Sequence, residues 1–309
     1  MKNSPIRVRT RAELQQVLAP HRKAGRRIGF VPTMGALHDG HLSLAQMARQ
    51  HADIVVASIF VNPTQFAPGE DLETYPRTEA ADIAGLAAVG TDIVYLPSVG
   101  EMYPEGSRTN VRVEGLSDLL DGRFRPHFFY GVATVVARLF VHVQPDFAVF
   151  GEKDYQQLQI IRRMVRDLGF PIEILGGETV RDPDGLAQSS RNTYLSLDER
   201  QAANVMSAAL HRARLRLAIG VRVDTAMDEA RARILGAGFE RLDYVSAVDP
   251  LTLEDLPGGP LPAGGQARLL AAAWMGQTRL IDNMAMVGVG FDEFAFATER
   301  LAEAINLQQ

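Results

Sequence analysis

Residues 53–61 read Asp-Ile-Val-Val-Ala-Ser-Ile-Phe-Val, a nearly continuous apolar and β-branched run. A strand with one wet face alternates polar and apolar residues. A strand written this way has both faces covered, as in a parallel sheet packed between helices. The surrounding segments meet that demand. Residues 27–31, 92–96 and 146–150 are further short apolar runs, and helical spacing marks the stretches from His41 onward, 78–89, 130–143 and 154–168. Thr10-Arg11-Ala12-Glu13 is a capping box that opens a helix to about residue 21. Strands alternating with helices predict the α/β class, with a Rossmann-like doubly wound parallel sheet whose ligands sit at the carboxyl ends of its strands.

Beyond about residue 180 the texture changes. Arg181-Asp182-Pro183-Asp184-Gly185 reads as a turn. Ser196-Leu197-Asp198-Glu199 caps a long helix rich in Ala and Arg, and strand-like runs follow near 242–248, 268–274 and 279–284, with the loop Pro257-Gly258-Gly259-Pro260 among them. The expected organisation is a Rossmann-like domain over residues 1–179 and a smaller C-terminal α+β domain over 180–309. The latter ends in a tail (290–309) whose helical pattern, Phe294, Leu301 and Ile305, suits packing on the body or on a partner subunit.

Composition removes several classes of function. The chain carries 32 Lys and Arg against 37 Asp and Glu, a formal net charge of −5. Nucleic acid is therefore not expected as a main partner, since phosphate-backbone binding needs a basic face. There are no cysteines, so thiolate metal sites, disulfides and cysteine nucleophiles are excluded. The start of the chain lacks an apolar segment of signal-peptide length, and the apolar stretch 132–143 is interrupted by Arg138 and His142. No membrane span and a cytoplasmic location are expected.

Two local features carry chemistry. The first is Pro32-Thr33-Met34-Gly35-Ala36-Leu37-His38-Asp39-Gly40-His41, leading from a strand into a helix. A helix start offers unpaired amides and a partial positive charge, a seat for an anion. Glycine at 40 permits close approach of a polyphosphate, and two imidazoles beside it can donate to phosphate oxygens. The second is Lys153. Only Lys2, Lys23 and Lys153 among the basic residues are lysine, so a chain that otherwise writes arginine places one compact ammonium in Gly151-Glu152-Lys153-Asp154, after a strand.

His-x-Gly-His after a first strand resembles the signature of the nucleotidylyltransferase superfamily, which includes class I aminoacyl-tRNA synthetases. Four further segments narrow the resemblance: Ser58-Ile59-Phe60-Val61-Asn62-Pro63-Thr64-Gln65-Phe66 with Tyr75-Pro76-Arg77-Thr78; Phe150-Gly151-Glu152-Lys153-Asp154-Tyr155-Gln156-Gln157; Asp184-Gly185-Leu186-Ala187-Gln188-Ser189-Ser190-Arg191-Asn192; and Arg279-Leu280-Ile281-Asp282-Asn283. In order, over about residues 28 to 284, they resemble the pantothenate synthetase (pantoate–β-alanine ligase) family. The resemblance implies ATP-dependent condensation of pantoate with β-alanine through a pantoyl-adenylate, releasing AMP and pyrophosphate, with Mg²⁺ and a homodimer. It implies ATP contacts at Met34, Gly35, His38, Gly40, His41, Gly151, Lys153, Asp154, Val180, Ser189, Ser190 and Arg191. Lys153 falls on phosphate, Asp154 near the ribose, Val180 near the adenine, and residues 189–191 over the β- and γ-phosphates. His41, His38, Lys153 and Arg191 are the catalytic candidates. Gln65, Gln157, Asn62 and Arg125 are the candidates for pantoate and β-alanine, with Gln156 facing elsewhere on its helix.

The sequence departs from the family pattern in two places. Where the family often writes Arg-Pro-x-His-Phe-x-Gly-Val, this chain has Arg125-Pro126-His127-Phe128-Phe129-Tyr130-Gly131-Val132, so neither His127 nor Phe128 is assigned a catalytic part. Position 188 is Gln where an apolar residue is frequent. Metal ligands are not identified, although Asp82 is a candidate to hold Mg²⁺ through water, and a hinge near Val180 would let the smaller domain close over ATP. A nucleotidylyltransferase with a stable adenylylated product, and a nucleotide-binding module that releases no pyrophosphate, are the rival readings.

Overall fold

The computed structural model describes residues 4–287. The tail pattern of Phe294, Leu301 and Ile305 lies outside the described residues. Two compact units are present: Met1–Arg181 with Gln188–Ser190, and Asp182–Ala187 with Arg191–Gln309.

The first unit runs β1 (Ile6–Val8), α1 (Arg11–Lys23), β2 (Ile28–Thr33), α2 (Asp39–His51), β3 (Ile54–Ile59), α3 (Glu79–Ala88), β4 (Ile93–Tyr95), the short α4 (Val99–Met102) and α5 (Asp121–Phe124), α6 (Phe128–Val143), β5 (Phe147–Gly151), α7 (Tyr155–Leu168) and β6 (Glu173–Gly177). Its six strands form one sheet in the order β1-β4-β3-β2-β5-β6, and every pairing is parallel. Alternate residues of each strand enter opposite cores, which is why the strands read as unbroken apolar runs. Phe30, Val56 and Ala148 pack with Leu14 and Leu18 of α1 and with α6 and α7. Val31, Val55 and Val149 face Leu44 and Ala48 of α2 and Ile83 and Leu86 of α3.

The expected doubly wound sheet is therefore present, with two strands more than the sequence suggested, β1 and β6. β1 is three residues long and sits at the sheet edge on β4, too short for a periodicity signal. The order reverses at β2: β3 lies on one side and β5 on the other. Parallel strands end on the same side, so the segments after β2, β3 and β5 emerge together at the crevice where such sheets bind ligands.

In the second unit α8 (Leu197–Ala203), α9 (Val205–Ala218) and α10 (Val223–Gly236) precede an antiparallel sheet of β7 (Arg241–Val248), β8 (Gln266–Met275) and β9 (Thr278–Val287). Ser196 and Glu199 close a capping box as expected. The single long helix after it is instead two, parted at Asn204, and α10 is an additional helix whose Ala230 and Ile234 join the core of Leu210, Val245 and Leu269. Arg200 of α8 grips Asp182 at 2.8 Å and Asp184 at 2.6 Å, holding the turn of residues 182–187.

Candidate active site

The loop from β2 to α2 is held from below by one carboxylate. Asp82 of α3 is 3% exposed. Its oxygens accept from the Ala36 amide at 3.0 Å, the Leu37 amide at 2.8 Å and the Thr78 hydroxyl at 3.1 Å. Ala36 is left-handed at φ 51°, a conformation costing an ordinary residue about 1–2 kcal/mol, and the charge-assisted bonds to Asp82 offset that strain. Both oxygens of Asp82 are engaged by the chain itself, which gives this residue, a sequence candidate to hold Mg²⁺ through water, a loop-fixing role. Among the described residues no group of three or more His, Asp or Glu could hold a metal ion.

His38 is the N-cap of α2, and its Nδ1 accepts from the Gly40 amide at 3.1 Å. The His38 amide donates to His41 Nδ1 at 3.5 Å, at the outer limit of a hydrogen bond. The two rings lie 4.2 Å apart, tilted by 51°. With each Nδ1 acting as acceptor, each neutral ring carries its proton on Nε2 and keeps that N–H to offer elsewhere. Desolvation pushes His41 down to about 3, aided by His38 and Lys153. His38 is lowered by desolvation and by Lys153, against the opposing pull of Asp154 and Asp39 and a hydrogen bond to Gln188. Around neutral pH the pair is therefore two uncharged donors, and Lys153 supplies the positive charge beside them.

Gly40 has a reason other than the one read from the sequence. A Cβ there would stand 2.8 Å from Cε1 and 2.9 Å from Nδ1 of His38, so glycine is required first to seat the imidazole. Gly151 is the reverse case. Its φ of −73° is ordinary and a Cβ would meet only Leu44, at 3.8 Å. Nothing in the described protein demands glycine at 151, which leaves the open side of that residue as the reason for it. Lys153 and Asp154 follow in a 3-10 turn, Glu152–Asp154, leading into α7. The starts of α2 and α7 thus flank one crevice.

The segment after β3 presents the glutamine. Asn62 caps a 3-10 turn, Pro63–Gln65, and is 1% exposed. Its Oδ1 accepts from the Tyr103 hydroxyl at 2.8 Å, the Thr64 hydroxyl at 2.9 Å and the Thr64 amide at 3.3 Å. Those donors fix the amide's orientation, so Nδ2 faces Gln65 Oε1 and the Gly131 carbonyl, both at 3.1 Å. The Gln65 oxygen is thereby occupied, and its Nε2 points to Met34 Sδ at 2.8 Å. Gln65 is left with a donor to offer. Asn62, a sequence candidate for the substrate, has both polar atoms of its amide engaged inside the protein, one of them on Gln65. Gly131 of α6 lets the turn lie against the helix: a Cβ there would come within 2.6 Å of Gln65 N and of the Thr64 carbonyl.

Gln157, in the first turn of α7, is partly exposed and its amide has no hydrogen-bond partner among the described residues. Gln156 faces away as expected. Its Oε1 accepts from the Asp121 amide at 3.0 Å, and its Nε2 donates to the Leu116 and Leu119 carbonyls, both at 2.8 Å. Arg125 is committed to Glu70 through a two-pronged pair, at 2.8 and 2.6 Å, and stacks 4.0 Å over Phe128. Phe128, in the place of the family's histidine, thus covers the guanidinium of Arg125. Val180 lies beside the start of α2, its Cβ 3.9 Å from where a Gly40 Cβ would be. Ser190 lies 3.4 Å from the Tyr75 hydroxyl, and Ser189 sits between it and Gln188. Arg191 belongs to the second unit.

The residues that sequence reasoning missed as parts of this site are Thr64, Tyr103, Glu70 and Gly131. They spend their polar groups or their lack of a side chain on holding the other residues in place, so only contacts in space reveal them.

Residues 7–285 match the family model described as pantoate-beta-alanine ligase. The chain is 66% identical to pantothenate synthetase of Hyphomonas neptunium over 92% of its own length and 98% of the relative's. It is 53% identical to that of Caulobacter vibrioides, over 92% and 99%. Its fold is similar to the crystal structure of pantothenate synthetase from Thermus thermophilus, with TM-score 0.85, 49% identity and coverage of 90% and 98%. It is also similar to pantoate-beta-alanine ligase from Francisella tularensis complexed with beta-gamma ATP and beta-alanine, with TM-score 0.76, 33% identity and coverage of 91% and 97%.

Proposed function

The chain belongs to the pantoate–β-alanine ligase family, and from that premise we propose how its own residues divide the labour. The enzyme joins pantoate to β-alanine at the expense of ATP, through a pantoyl-adenylate, and releases AMP and pyrophosphate. The pantoate carboxylate attacks the α-phosphorus, the P–O bond to pyrophosphate breaks, and the β-alanine amine then displaces AMP from the activated carbonyl. No protein nucleophile is needed, so positioning and charge stabilisation supply the rate.

In this reading the triphosphate lies across the starts of α2 and α7. Lys153 carries positive charge to the phosphates, and the Nε2–H groups of His38 and His41 donate to the departing pyrophosphate. Gly151 and Gly40 leave the backbone approachable, Met34, Gly35, Asp154 and Val180 line the nucleotide, and Ser189 and Ser190 add donors to the outer phosphates. Gln65 and Gln157 donate to pantoate, with Asn62 holding Gln65 in register. Arg125 acts on substrate only if Glu70 yields it. The single observation that carries this assignment is that the His38 and His41 rings lie 4.2 Å apart at the start of α2, which follows β2, while Lys153 follows β5, the strand paired directly with β2. Mg²⁺ is proposed to arrive with the triphosphate. The described residues offer no cluster of three or more His, Asp or Glu to cage it.

A cytoplasmic homodimer is proposed on the family resemblance. No helix among the described residues is long and apolar enough to cross a membrane. The reaction is tested by following AMP and pyrophosphate from ATP plus pantoate, with and without β-alanine. Steady AMP release that requires both acids supports the assignment. A stable adenylylated product indifferent to β-alanine contradicts it.

A further inference from the structure

The start of α2 contains an amide with two acceptors. Gly40 N donates to His38 Nδ1 at 3.1 Å and to Gln188 Oε1 at 3.2 Å, so the two side chains converge on one amide hydrogen. Gln188 is itself held, its own amide donating to the Val180 carbonyl at 3.0 Å. These residues all belong to the first unit. An amide at this position of a helix has no partner within the helix, so one acceptor would have sufficed.

The second acceptor matters when His38 changes state. While the ring is neutral, Nδ1 is the acceptor and the amide is satisfied without help. Once Nδ1 takes a proton from solvent it becomes a donor, and it faces another donor, Gly40 N–H. A carboxamide oxygen has two lone pairs. One takes the Gly40 amide hydrogen and the other takes the new Nδ1–H, so no donor is stranded. An apolar side chain at 188 offers neither.

We propose that Gln188 is a positioning residue for His38, whose carboxamide oxygen receives both the Gly40 amide and a protonated Nδ1 and so lets the imidazole take up a second proton without disrupting the start of α2. The groups facing His38 set the balance. His41 and Asp39 come from α2 itself, and Lys153 and Asp154 from the segment after β5. Lys153 opposes a second positive charge, Asp39 and Asp154 favour it, and Gln188 is the neutral member that favours it through geometry. On the ligase assignment, on which this deepening rests, an imidazole able to gain a proton meets the growing charge of pyrophosphate with a charged donor in place of a neutral one.

The test is a histidine-labelled NMR titration of the full chain, with the His38 signal assigned by its loss in His38→Asn. Gln188→Leu removes the oxygen at similar size, and Gln188→Glu offers the same geometry with a charge. The account expects His38 to bind its proton about tenfold more weakly in Gln188→Leu and more tightly in Gln188→Glu than in the natural chain. Any other pattern overturns the proposal, including an unmoved midpoint in Gln188→Leu or shifts of the same sign in both variants, which mere loosening of the loop would give. The titration needs no substrate, so its failure is separate from a failure of the AMP assay.

Discussion

Replacing Gly40 by alanine separates two explanations of the same glycine. The added Cβ would stand 2.8 and 2.9 Å from His38 ring atoms, closer than such atoms approach, and the imidazole is the movable partner. Stability should change little. Alanine gains up to about 1 kcal/mol over glycine in a helix, and the displaced Nδ1 acceptor forfeits about 1 kcal/mol. Activity should not survive so well, since a misplaced transition-state donor costs about 10²-fold or more, roughly 3 kcal/mol. If the ring is what requires glycine, the penalty disappears once the ring is gone. In a His38→Ala background Gly40→Ala should then cost less than about threefold, a coupling near the full 3 kcal/mol. The assay is pantoate-dependent exchange of labelled pyrophosphate into ATP for all four proteins, with thermal unfolding as the control. An undiminished penalty in the His38→Ala background would refute the reasoning and return Gly40 to direct contact with phosphate.

Three further perturbations follow from the same contacts. Gly131→Ala drives a methyl against the turn Pro63–Gln65 at 2.6 Å; pantoate KM should rise by about tenfold or more while ATP affinity measured by calorimetry stays within about twofold, and an unchanged pantoate KM would contradict the placement of Gln65. Asp82→Ala strands the Ala36 and Leu37 amides and should cost about 2–4 kcal/mol in urea unfolding, with a loss below about 0.5 kcal/mol counting against its loop-fixing role. Burial holds His41 well below its ordinary value of 6.5, at about 3 in the fold. Below pH 6.5 the unfolded chain therefore binds a proton that the folded chain refuses, and stability falls as pH drops from about 6.5 towards 3. His41→Asn should flatten that part of the stability–pH curve, and an identical slope would show that His41 is not so depressed.

Much of this architecture was legible because its causes are local. A strand covered on both faces must be apolar throughout, so residues 53–61 announced a parallel sheet, and the Thr10 capping box and the strand-to-helix junction at His38 were equally plain. β1 was not legible, since three residues at a sheet edge carry no period. Neither was the break at Asn204, where one residue interrupts a pattern that otherwise continues. At the site, the reactive residues could be named from types and spacing, whereas their supports could not. Asp82 looks like any helical carboxylate until its oxygens are seen on the amides of residues 36 and 37. Asn62 resembles a substrate contact until Tyr103, forty-one positions away in sequence, is found on its oxygen. Gln188 appears only as a departure from a pattern until its partner at Gly40 is known.

The central claim is that the pantoate carboxylate reaches the innermost phosphorus of a triphosphate gathered by His38, His41 and Lys153. Heavy-oxygen labelling of that carboxylate tests it in one turnover. The account predicts that one labelled oxygen per product leaves in AMP, read by mass spectrometry, with none in pyrophosphate. Label appearing in pyrophosphate or inorganic phosphate, or AMP formed without label, would contradict it.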